Sequence, residues 1–195
     1  MVASLRRAPH NYGLRFLPAN TVMMFYHVEG VEEALTVHTD EGHEKSKSNT
    51  AEANKVIDLF LHMVRKEGCR PKSINIMTQY KSQMSILQKS LKDLGFDVTV
   101  NTVVASQGGE WDYVILSTVR SQPIFNIEPC PTLGWKIQNL GFVADQNQTN
   151  VALTRARKGL FIIGNKNLLS CDDVWKNLLA DYAVQGCLSN AEVIP

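Results

Sequence analysis

Three short polar segments of this sequence bring together residue types that can hold phosphate and sugar groups. The first, Thr78-Gln79-Tyr80-Lys81-Ser82-Gln83, follows an apolar run and opens a helical pattern. Hydroxyls and helix N–H groups there can face an anion. The second, Ser106-Gln107-Gly108-Gly109-Glu110, lies between two strand-like runs. Its glycines let the backbone approach a ligand closely, and the Glu110 carboxylate can accept hydrogen bonds from ribose hydroxyls. The third runs from Asn150 through Thr154, Arg155 and Arg157, on a helix expected from about Thr149 to Lys158. Taken singly, each has a plain structural explanation: a turn, a helix cap with a packed ring, or arginines two apart on a helix that point to different faces. Their order along the chain gives the combination its weight.

The elements that must position these segments alternate between strand and helix. Val22 to Val28 is a short, apolar, β-prone run that predicts a buried strand, and Glu29 to Asn49 is polar and without apolar period, a surface loop. A helix follows, with Asn49 as N-cap, Glu52 three residues on to close a capping box, and Gly68 as its stop. Ile57, Phe60, Leu61 and Val64 line one face of it at helical spacing. Ser73 to Met77 predicts a strand and Ser82 to Leu94 an amphipathic helix with Ile86, Leu87, Leu91 and Leu94 on its apolar side. Val98 to Val103 is β-branched, and Tyr113 to Val119 is the near-continuous apolar run of a strand covered on both faces. Residues 122–147 hold Pro123, Pro129, Pro131, Gly134 and Gly141, a long surface excursion. Leu160 to Ile163 is a last buried strand, and Leu168 to Gln185 a closing helix with Val174, Leu178 and Leu179 inward. Such alternation means an α/β fold, a parallel sheet with helices on both faces and right-handed crossovers. Ligands then gather outside the carboxyl ends of the strands.

Length and composition are those of one folded domain: 195 residues, 44% apolar and 8% aromatic, enough for a core without disulfide or metal staples. We divide the chain into residues 1–20, an arm or a piece of something larger, residues 21–190, the folded domain, and a tail at 191–195. No run of about 18 apolar residues is present to span a membrane. The start lacks the layout of a signal peptide, which gives the expectation of a cytoplasmic or nuclear protein. The four cysteines form no CxxC pair and the five histidines no HxxxH spacing, so no metal site is expected. Nor is there a GxxxxGK[ST] loop or an acidic pair closing an apolar strand, so this chain alone cannot cradle and hydrolyse a nucleoside triphosphate in the P-loop manner.

Asn150 to Asn165, NVALTRARKGLFIIGN, closely resembles motif VI of superfamily 1 helicases of the up-frameshift type. Thr102-Val103 through Gln107-Gly108-Gly109-Glu110 resembles their motif V, and INIMTQYKSQ their motif IV, with Gln79 in place of a proline. Ser48-Asn49 with Glu52-Ala53 is similar to a further stretch of the family, and the likeness extends from about Val22 to Leu188. Val104 and Ser106 depart from the usual acidic and Phe positions of motif V. Ser106 to Trp111 and Leu140 to Asp145 look more like the helicase-with-zinc-finger branch.

The resemblance implies a three-layer RecA-like domain, the second of two in a motor, with ATP and magnesium bound against an absent first domain. It implies Arg155 as the arginine finger that stabilises charge on the transferring phosphoryl group. Gln107, Gly108 and Glu110 would meet the nucleotide. Thr78, Tyr80, Thr102 and Arg157 would lie along single-stranded RNA or DNA, with Arg157 serving structure or a phosphate contact. The chain by itself is expected to be a monomer without ATPase activity. An idle RecA-like module kept as a protein-interaction scaffold is the alternative.

A net charge of +1 conceals regional bias. Glu29 to Glu44 carries six acids and no Lys or Arg, Arg65 to Lys92 seven basic residues, and Val151 to Ser170 four basic residues and no acid. The near-neutral total therefore does not exclude a polyanionic partner.

Overall fold

The computed structural model describes residues 14–17, 21–39 and 42–190, with side chains 35–39 and 42–45 left aside. Six strands form one sheet: β1 (Met23–His27), β4 (Ile74–Thr78), β5 (Val100–Thr102), β6 (Trp111–Ser117), β7 (Ala156–Gly164) and β8 (Leu188–Ser189), in the order β5-β4-β6-β7-β1-β8. Every pairing in it is parallel. The central strands are apolar along their length because each feeds two cores. Val114, Leu116, Leu160, Ile162 and Phe25 face one. Tyr113, Ile115, Phe161, Ile163 and Tyr26 face the other.

Helices α1 (Thr50–Arg65) and α2 (Lys81–Asp93) cover the second of these faces. The first is covered by α3 (Leu133–Leu140), α4 (Gln146–Leu153), α5 (Lys166–Leu169) and α6 (Asp173–Val184). The result is the expected three-layer RecA-like α/β arrangement. Leu14 is buried in the core under α1, and Phe16 packs edge-on to His62 at 4.9 Å. The remainder of the expected arm, and the 191–195 tail, lie outside the described residues. No described helix is long and apolar enough to cross a membrane.

Several expectations are corrected. The loop expected over Glu29 to Asn49 is an antiparallel hairpin, β2 (Glu32–Thr39) and β3 (Gly42–Asn49), outside the main sheet. Its strands pair with each other instead of with an apolar layer, so no apolar alternation marks them. Among the hairpin residues whose side chains are described, Ser46, Ser48 and Asn49 at the base of β3 are buried. On α1 the deepest row is Val56, Leu59, Phe60 and Met63, while Ile57, Leu61 and Val64 flank it. Leu94 lies beyond the end of α2 and is exposed. The single closing helix is two, because Asp172 caps a new one by accepting the N–H groups of Val174 and Trp175. Trp175, Leu179 and Tyr182 are its buried residues. The 122–147 excursion contains α3, capped by Thr132, and Val143, whose carbonyl accepts the Trp175 indole N–H at 2.8 Å.

The largest correction concerns the arginines. The helix α4 ends at Leu153, and Arg157 lies in β7, with Arg155 at the junction between them.

Candidate functional site

The segments singled out by chemistry divide between the two ends of the strands. Trp111 and Ala156, the first residues of β6 and β7, are register partners. Arg155 and Glu110 therefore sit together at the amino ends, and the strand-exit rule misplaces them. The link from β5 to β6 crosses the sheet face that carries α4, burying Val103. A short 3₁₀ turn spans Val104–Ser106, with the Ser106 hydroxyl donating to Thr102 O at 2.9 Å. Gln107 is exposed, and Gly108 turns the chain at φ +82°, a conformation that suits glycine.

At this end the Arg155 guanidinium is held by its own domain. Nε donates to Val151 O at 3.1 Å, Nη1 to Gly109 O at 3.3 Å and Nη2 to Thr154 Oγ1 at 2.8 Å. Trp111 N–H donates in return to Arg155 O at 3.0 Å. Arg157 pairs with Glu110 at 3.1 Å, both side chains more than half exposed. The structure thus brings Arg155, Arg157, Gly108 and Glu110 into one neighbourhood, and places Arg157 away from Thr78, Tyr80 and Thr102.

Those three stand at the opposite ends. Thr78 and Thr102 close β4 and β5 and are register partners, and Thr78 also pairs with Ser117 at the end of β6. Thr78 is fully buried and Tyr80 nearly so, while Thr102 is half-buried. Thr102 Oγ1 accepts the Ala105 N–H at 3.2 Å. Burial pushes the Tyr80 phenol above its ordinary range, against the opposing effect of the Arg120 guanidinium. Its ring lies 5.8 Å from that of Phe142, and Gln79, in its departure from proline, donates to Phe142 O at 2.9 Å. A groove of about 560 Å³ opens here, lined by Tyr80, Arg120, Lys47, Ile137 and Phe142.

Sequence reasoning did not single out the polar hub beneath these strand ends. Glu52 is fully buried; its Oε2 accepts Ser117 Oγ–H at 2.7 Å and Val119 N–H at 2.8 Å. Burial raises its carboxyl to about 8, against those hydrogen bonds. The capping box is half-formed: Asn49 caps Glu52 N–H at 3.1 Å, but the Asn49 N–H goes to Gln83 Oε1 at 2.9 Å. Gln83 also donates to Ser117 Oγ and Asn49 O, each at 3.1 Å. Val119 itself has φ +70°, and beyond it Arg120 donates to Glu32 at 2.9 Å. Burial favours a neutral Glu32, yet the hydrogen bond from Lys47 and the charge of Arg120 bring its carboxyl below the ordinary value. The signal for Glu52 was present as a cap partner, but its true partners are far along the chain. Among the described residues no group of three or more His, Cys, Asp or Glu side chains could hold a metal ion.

Comparison with known proteins bears on this arrangement. A family model described as an AAA domain matches residues 4–167. The chain belongs to that family. It is 38% identical over 193 residues to the mouse (Mus musculus) 3'-5' exoribonuclease HELZ2, covering 98% of this chain and 6% of that protein. It is 36% identical over 188 residues to the regulator of nonsense transcripts 1 of Dictyostelium discoideum, covering 89% and 12%. With the ATP-dependent helicase NAM7 of Saccharomyces cerevisiae it shares 33% identity over 173 residues, covering 85% and 16%. The chain thus spans between 6% and 16% of the length of these relatives. It is a helicase-family domain of the up-frameshift, superfamily 1 type, as the motifs imply.

Proposed function

We propose that this domain is the second RecA-like half of an ATP-dependent nucleic-acid helicase, closing over ATP held by a first domain and gripping single-stranded RNA or DNA. The observation that carries the reading is the division of its polar residues between opposite strand ends. Arg155 and Glu110 mark a nucleotide side, and Thr102 with the Thr78–Tyr80 strand exit marks a strand-gripping side. Arg155 retains N–H donors that suit a phosphate group, and Gln107 and Gly108 offer the exposed backbone and amide beside it. In this reading the magnesium is held by the first domain. On the gripping side, buried Thr78 and Tyr80 support the surface from beneath, and Thr102 and the turn after it present the contact. Phosphate contacts of this kind hold a strand without reading its sequence.

The test joins this chain to the first motor domain. Arg155→Ala is expected to lower ATP turnover by about 10³-fold or more while ATP still binds; turnover near the wild-type rate would refute the finger.

A second reading, an idle module serving as a protein-interaction scaffold, draws on the exposed apolar side chains of the excursion, Phe125 at 83% and Leu133 at 74%. Binding of a single-stranded oligonucleotide that weakens with added salt supports the helicase reading, and no binding supports the scaffold.

A further inference from the structure

Arg155 is anchored by design of its neighbours, and the geometry says which of them set its aim. A guanidinium has five N–H donors. Three are engaged, by Val151 O, Gly109 O and Thr154 Oγ1. That leaves one N–H on each Nη to meet a phosphate group. Thr154 can accept from Nη2 because its own proton goes to the Asn150 and Val151 carbonyls, at 2.8 and 3.2 Å. The hydroxyl is thereby fixed in direction by the last turn of α4, where Thr154 is the C-cap.

Gly109 is fixed from the other side. A Cβ at that position would collide with the Trp111 indole. The ring therefore lies close against the Gly109 backbone and holds its carbonyl toward Nη1. Since Trp111 N–H donates to Arg155 O, the 109–111 and 154–155 segments hold each other in both directions.

We infer that Thr154 and Gly109 are positioning residues that preset the Arg155 guanidinium for a phosphate group, neither of them touching the nucleotide. The inference rests on the arginine-finger reading. A preset guanidinium matters because a misplacement of about 1 Å at a reacting centre can lower a rate about a hundredfold.

The experiment uses this chain joined to the first motor domain, with Arg155→Ala as reference. Thr154→Val, nearly constant in volume, is expected to lower kcat about ten- to a hundredfold with the KM for ATP unchanged. Thr154→Ser, which keeps the hydroxyl, is expected to restore it, and Gly109→Ala to act in the same direction as Thr154→Val. Wild-type kcat in Thr154→Val beside an inactive Arg155→Ala would overturn the positioning role and leave the finger intact. Equal losses in the Val and Ser variants would reduce Thr154 to a helix end and overturn it as well. Wild-type kcat in Arg155→Ala would remove both readings together. In the 195-residue chain, NMR supplies a readout apart from activity. The Arg155 Nη signals are expected to be separate in the wild type and in Thr154→Ser, and averaged by rotation in Thr154→Val. Averaged signals in the wild type would overturn the inference.

Discussion

The carboxylate of Glu52, in the first turn of α1, accepts the backbone N–H of Val119 at 2.8 Å, joining residues 67 positions apart. The same oxygen accepts the Ser117 hydroxyl, so one buried group fixes the exit of β6 and the left-handed turn at Val119. A β-branched residue at positive φ persists only where its surroundings over-determine it. Glu52→Ala leaves two buried donors without an acceptor and is expected to destabilise the fold by about 3 kcal/mol. Glu52→Gln keeps one acceptor, the amide Oε1, and should lose less than half of that. Urea midpoints for the three proteins measure both, and an unchanged midpoint in Glu52→Ala would show that the hub contributes nothing.

Glu52 also makes stability depend on pH. Burial raises its carboxyl from 4.5 to about 8 in the folded chain, so the folded state binds the proton more tightly than the unfolded state does. The contribution is fully present below about pH 4.5 and is lost as pH rises through about 8. The difference in Tm between wild type and Glu52→Gln should therefore shift against the wild type between pH 5 and pH 8. Parallel Tm curves across that window would refute the assignment.

Gly164 ends β7 where Thr118 packs on it, and a Cβ there would collide with Thr118 Oγ1. Both residues are buried, so the contact cannot relax into solvent. Gly164→Ala is expected to destabilise by about 1–3 kcal/mol. Combining it with Thr118→Ala should recover much of the loss, and a double-mutant cycle with no coupling between the two would contradict the contact.

The Arg157–Glu110 pair should behave quite differently from Arg155. Both of its side chains are more than half exposed, and such pairs contribute within about 1 kcal/mol. Arg157→Ala is thus expected to leave the thermal midpoint almost unchanged. A large fall in Tm would mean that the pair braces β6 against β7.

Much of the scaffold was legible because burial on both faces writes itself into sequence. Tyr113 to Val119 and Leu160 to Ile163 read as strands since each alternate residue feeds a different core. The hairpin was illegible for the opposite reason: β2 and β3 pair with each other outside the main sheet, and neither carries a long apolar run. Around Arg155, the Ala, Leu and Arg content favours helix locally. The pairing of Ala156 with Trp111 overrides it, which turns Arg157 into a strand residue. Motif order located the polar residues but not their ends of the sheet, since a link with no α-helix, only a short 3₁₀ turn, carries the chain from the end of β5 to the start of β6. Glu52 could be read only as a partner for Asn49. Nothing near it in sequence announces Ser117 or Val119.

Strand β6 carries Trp111, beside Arg155, at one end and Ser117, beside Glu52, at the other. From Tyr113 to Ser117 it is paired on both flanks, to β4 and β7, while Trp111 pairs with β7 alone across a register shift. At about 3.3 Å per residue the two ends stand about 20 Å apart. A strand clamped on both sides neither stretches nor bends easily, so it acts as a fixed gauge between them. A shift at its Tyr113 end is thus passed to Ser117, and to Thr78 paired beside it, in step and over a similar distance.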